Sequence, residues 1–105
     1  MKRLSQRPLQ SFIDLQTRLI INAGGIPCDG IYTYALDTRG GSLRIKPFGD
    51  WVACRFDDLK LAGRAGVPFN PLNGKCNFHD AMTADGAHAF EEFLGTLKPA
   101  IEEIT

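Results

Sequence analysis

The chain lacks any long apolar run. None of its hydrophobic stretches approaches the roughly 20 residues that cross a bilayer, so no spanning helix and no membrane partner are expected. The basic start, Met-Lys-Arg-Leu-Ser-Gln-Arg-Pro, is not followed by an apolar h-region, and no signal peptide is expected. Cysteine is scarce: Cys28, Cys54 and Cys76 are odd in number and spaced 26 and 22 apart. Such spacing does not make a disulfide framework, and a cytoplasmic protein with reduced thiols is expected. Internal repeats, low-complexity tracts and linkers are missing too. What remains is one domain, 1–105, whose 44% apolar and 23% charged residues suit an ordinary soluble core.

Net charge is zero, but its placement is uneven. Residues 1–75 carry 11 Lys/Arg against 6 Asp/Glu, and residues 76–105 carry 1 against 6, halves of +5 and −5. That asymmetry marks a basic binding face or, more simply, two halves that neutralise each other across a folded surface.

Catalytic signatures are also wanting. There is no Gly-x-Ser-x-Gly and no Walker loop; Gly24-Gly25, Gly40-Gly41 and Gly63-x-x-Gly66 read as turns or helix stops. The pairs Asp57-Asp58, Glu91-Glu92 and Glu102-Glu103 read as solvated neighbours. Cys28, Cys54, Cys76, His79 and His88 are the candidate soft ligands, and Cys76-x-x-His79 has the spacing of half a zinc site. No Cys-x-x-Cys partner accompanies it, and on a strand residues three apart face opposite ways. Cys54 lies in an apolar strand pattern, where a free cysteine acts as a small hydrophobe. No catalytic residue, metal ligand or cofactor is therefore assigned, although a Cys/His-dependent enzyme or zinc protein stays open as a second alternative.

The periodicities that are present define the fold. Leu9, Phe12, Ile13, Leu19, Ile20 and Ala23 follow helical spacing with a polar interruption at Gln16, predicting a helix over 8–22 stopped by Gly24-Gly25. Ile26–Gly30 reads as a connector. Ile31–Thr38, Ser42–Phe48 and Trp51–Phe56 read as three strands joined by Arg39-Gly40-Gly41 and Gly49-Asp50, short turns that require an antiparallel meander. Val52, Cys54 and Phe56 share one face with Leu43 and Ile45. Tyr32 and Tyr34 read as core residues on one face of the first strand.

A short helix with an acidic first turn is predicted over 57–66. Asn70 and Asn73 read as turn residues bonding their own backbone, followed by a short fourth strand over 75–79. Thr83 caps a last helix whose stripe is Ala87, Phe90, Leu94, Leu97, Ile101 and Ile104, with Pro99 expected to kink or break it after Leu97 or Lys98. His88, near its start, reads as partly exposed. The expected fold is α+β, a three- to four-stranded antiparallel meander covered on one face by the N- and C-terminal helices.

The opposite sheet face is the candidate site. Arg44, Lys46, Trp51 and Arg55 alternate away from the apolar set, and Lys75, Asn77 and His79 alternate with Cys76 and Phe78. Together these seven residues offer cations, donors and one indole, a mix that receives an acidic protein surface, holds phosphates or stacks a base.

The pattern Gly-Asp-Trp-Val-Ala-Cys-Arg-Phe-Asp-Asp (49–58), then Asn-Pro-Leu-Asn-Gly-Lys-x-Asn-Phe-His (70–79), resembles small proteins of unknown function in bacteria and their phages and plasmids. The likeness covers about a third of the chain. In those proteins the position of Cys76 is often Trp, which implies that Cys76 is replaceable by a large apolar residue. The resemblance further implies a protein that binds and blocks host machinery, defence complexes included. The leading expectation is a small cofactor-free binding protein that occludes or bridges a host protein complex. The alternative is a single-stranded nucleic-acid module using the same basic, aromatic face. Oligomeric state is left open.

Overall fold

Residues 6–38, 41–63 and 68–102 are described by the structure, a computed structural model. Helix α1 (Gln6–Asn22) buries Ile20 completely and packs Leu19 against the same core. The Gly24 N–H donates to the Ile21 carbonyl and the Gly25 N–H to that of Ile20, the paired bonds of a Schellman cap. Gly24 sits at φ 108°, a conformation costly for any residue with a Cβ.

Four antiparallel strands follow in the spatial order of the chain: β1 (Ile26–Pro27), β2 (Tyr34–Thr38), β3 (Gly41–Pro47) and β4 (Val52–Phe56). A short helix α2 (Leu59–Ala62) and a long helix α3 (Ala84–Glu102) complete the α+β fold. Helix α1 lies against β3, α3 against β2, and the two helices touch each other. The strand face predicted to meet them is buried: Leu43, Ile45, Val52, Cys54 and Phe56 are at most 1% exposed. From α3, Phe90, Phe93, Leu94 and Leu97 close the core. Among the described residues no helix is long and apolar enough to cross a membrane.

Helices α2 and α3 begin where local chemistry says they should. Asp58 caps α2, its Oδ1 accepting the Lys60 N–H at 2.9 Å, and Thr83 caps α3, its Oγ1 accepting the Gly86 N–H at 3.0 Å. Asn70 and Asn73 accept the N–H groups of Leu72 and Lys75, two side-chain turns in succession. Tyr34 packs against the core. His88 is exposed, with its Nε2 2.7 Å from Glu92 Oε1.

Four sequence expectations need correction. Ile26-Pro27, read as connector, is the edge strand β1, pairing Ile26 with Ala35 and Pro27 with Tyr34; an edge tolerates the missing proline donor. The next strand begins at Tyr34, because Cys28 N–H bonds the Thr33 carbonyl at 2.9 Å and folds Ile31–Thr33 into a bend that holds Tyr32 off the strand. The segment 75–79 is not a continuous strand; Lys75 and Phe78 form isolated bridges to β4, and between them the Cys76 N–H bonds the Cys54 carbonyl at 3.0 Å. Helix α3 is not broken at Pro99 but runs on to Glu102. The one helical bond that proline removes is to the carbonyl of Gly95, on an exposed turn where water can replace it. Arg39-Gly40, Arg64–Gly66 and Ile104 lie outside the described residues.

Candidate functional site

Register turns the helix-free sheet face into three rows that run across the strands. Arg44 lies opposite Arg55, and Arg55 bridges to Lys75. Lys46 lies opposite Ala53. The bridges Arg55–Lys75 and Val52–Phe78 share one register, which sets Asn77 beside Ala53 and His79 beside Trp51. The third row is aromatic: Phe48 stacks on Trp51 at 4.6 Å between ring centres and 3° between planes, and His79 stacks on the far side at 6.0 Å and 7°. The outer rows stand four residues apart along the strands, about 13 Å.

All seven residues expected at the site therefore belong to one sheet face. They do not all present free polar groups. Asn77 Oδ1 accepts the Cys54 N–H at 3.0 Å, the place a regular ladder gives to the Cys76 carbonyl. Its side chain thus mends an interrupted strand. Lys46 Nζ leans over the Phe48 ring, 5.0 Å from its centre. Arg44 and Arg55, like charges directly opposed, turn apart: Arg44 Nη1 reaches Cys28 Sγ at 3.8 Å and Arg55 Nε donates to the Asn73 carbonyl at 3.1 Å. Between them and the bend at Asp29–Tyr32 opens a groove of about 340 Å³, with Asp57 also on its wall. A second hollow of the same volume is lined by Asp50, Trp51, His79 and Asp80. Carboxylates thus border both outer rows, Asp29 and Asp57 the cationic one and Asp50 and Asp80 the aromatic one.

Sequence reading missed Phe48, and it put Ala53 on the face of Trp51 and Arg55 without counting it at the site. Phe48 follows the inward Pro47 and precedes the two-residue turn Gly49-Asp50, so alternation alone puts it outward and opposite Trp51. Ala53 is on the outer face yet only 6% exposed, because its taller neighbours on either side overtop it. The turn itself is fixed from the other layer: the Gln16 amide of α1, 4% exposed, donates to the Gly49 carbonyl at 2.8 Å and accepts its N–H at 3.1 Å.

The cysteines divide between the two faces. Cys54 is fully buried, and burial first, then the hydrogen bond and charge of Cys76, push its thiol well above the ordinary range. Cys28 donates to the Tyr32 carbonyl at 3.2 Å. Cys76 packs against the core while His79 stacks on the opposite face, so the two do not converge. Among the described residues no three His, Cys, Asp or Glu side chains gather to share a metal ion. No protein-family model matches the chain, and neither curated proteins nor solved structures give a match.

Proposed function

We propose that this is a small binding protein, of the kind phages and other mobile elements encode, that occludes or bridges a host protein complex through its helix-free sheet face. The observation that supports this reading is the row Arg44–Arg55–Lys75. Like charges directly opposed on a sheet destabilise it. A partner surface bearing carboxylates turns that cost into complementarity.

Single-stranded nucleic acid would use the same cations, but it also needs a free ring face for a base. Trp51 has Phe48 on one face and His79 on the other. The indole thus offers its edge rather than a platform, which favours a protein surface.

Affinity capture from bacterial lysate, with and without nuclease, tests the reading when wild type is set beside the Arg44→Glu/Arg55→Glu variant. A stoichiometric, nuclease-resistant protein held by wild type and lost by the variant is expected, with the melting temperature nearly unchanged. A partner retained by the variant removes the site. Bound material that vanishes with nuclease moves the function to nucleic acid.

A further inference from the structure

We infer that Cys54 and Cys76 are the two halves of a reversible disulfide, a redox modification site that joins β4 to the segment carrying Lys75, Asn77 and His79. The inference stands apart from the protein-partner reading and depends on the inner sheet face alone.

The two cysteines are 22 residues apart in the chain, and register brings them together. The bridges Val52–Phe78 and Arg55–Lys75 share one register, in which Cys54 lies directly opposite Cys76. Residues so opposed point to the same side of a sheet. Both side chains meet the core, and that of Cys76 hydrogen-bonds that of Cys54. The Cys76 N–H donates to the Cys54 carbonyl at 3.0 Å, which marks a hydrogen-bonded position of the ladder. Cα atoms at such a position are about 5.5 Å apart, inside the roughly 4.4–6.8 Å that disulfides span. Opposed Cβ atoms are about 4.5–5.5 Å apart, and a disulfide draws them to about 3.5–4.5 Å. A regular ladder resists that closure with two main-chain bonds. Here one is replaced, because the Cys54 N–H bonds Asn77 Oδ1 instead of the Cys76 carbonyl. The segment can therefore shift at Cys76 as a continuous strand could not.

Exposure divides the roles. Cys76 is partly exposed and Cys54 is fully buried, so an oxidant meets Cys76 first. The oxidant is a hydroperoxide. The deprotonated Cys76 sulfur attacks a peroxide oxygen, the O–O bond breaks, and the departing oxygen takes up a proton, leaving a sulfenic acid. The Cys54 sulfur then attacks the Cys76 sulfur. The S–S bond forms as the S–O bond breaks, and the Cys54 proton leaves with the hydroxide as water. Two electrons pass from the thiols to the peroxide, and a dithiol restores both cysteines by exchange. Cys28 lies beside β1, at the other edge of the sheet, where it faces Arg44, and it takes no part.

The test is treatment of the full chain with graded hydrogen peroxide, then alkylation, digestion without reductant and mass spectrometry. A peptide pair joined through Cys54 and Cys76, lighter by two hydrogens, is expected, with Cys28 alkylated and both thiols restored by dithiothreitol. Cys28→Ser should give the same pair. Cys76→Ser should leave Cys54 unmodified, since the buried thiol has lost its relay, and melting curves establish that both variants fold. In the oxidised chain, amide exchange at Phe78, whose N–H bonds the Val52 carbonyl, should slow severalfold. Thiols left intact at peroxide levels that oxidise free cysteine overturn the inference. So does Cys76 carried to sulfinic acid without a linked pair, a bridge to Cys28 or to a second chain, or a bridge that forms only in denaturant. A linked pair with unchanged exchange at Phe78 would overturn its hold on the segment.

Discussion

Gln16 breaks the apolar stripe of α1, and its burial would be a liability if its amide were idle. Both ends of that amide bond the backbone of Gly49, so the helix grips the β3–β4 turn from the far layer. Gly49 at φ 89° suits that grip, since a Cβ there would come within 2.4 Å of Leu9 Cδ1. The turn in turn sets Phe48 against Trp51, linking a core residue to the aromatic row. Replacing Gln16 with Leu strands the Gly49 N–H and carbonyl, and should lower unfolding free energy by about 1–3 kcal/mol in urea denaturation. Cys54 gives a second residue-level expectation. The folded chain holds its thiol neutral, whereas an unfolded cysteine ionises near pH 8.5. Above about pH 8.5 the unfolded state therefore binds fewer protons, and stability falls as pH rises toward the raised native value; below it the contribution is intact. Unfolding titrations at about pH 7 and about pH 9.5 should show a larger loss for wild type than for Cys54→Ala, which sacrifices packing but not the slope.

At the scale of elements, what was legible in the sequence is what repeats. Alternation through 42–56 assigned both faces of β3 and β4, and Gly49-Asp50 and the paired asparagines announced their turns. Edge strand β1 was not legible, because two residues have no period to detect. Nor was the fate of Asn77, since alternation gives the direction of a side chain but not whether it replaces a main-chain acceptor. At Pro99 spacing allowed a kink or a break, and the helix is not broken; whether it continues depends on whether the orphaned carbonyl meets water, which spacing does not encode. The Asn77 bond is open to direct measurement. Asn77→Ala should accelerate amide hydrogen exchange at Cys54 well beyond that at Val52 and Phe56, whose N–H groups bond the Phe78 and Gly74 carbonyls. It should also reduce stability by about 1 kcal/mol. Unchanged exchange would mean that the Cys76 carbonyl has moved in and that the strand is continuous without the side chain.

For the whole molecule, the two layers have different tasks. The helices and the inner sheet face hold the core, and the outer face carries an arrangement that stability alone does not favour. Three cations stand in a line across the sheet, and Asp29 and Asp57 share a groove with the two arginines. If that row exists for a partner, removing its central charge should help the isolated protein while harming the complex. Arg55→Thr keeps a strand-forming residue in place, forfeits the bond to the Asn73 carbonyl, and relieves both neighbours. The like-charge relief is of the order of 0.2–1 kcal/mol, enough to offset the lost exposed hydrogen bond. The variant should accordingly match or exceed wild-type stability in dilute buffer. Its advantage should shrink at about 1 M salt, where the screening length falls to about 3 Å and the repulsion is damped in wild type as well. A variant less stable than wild type at both ionic strengths would mean that Arg55 serves the fold through Asn73, and the cation row would lose its claim to be a feature kept for binding.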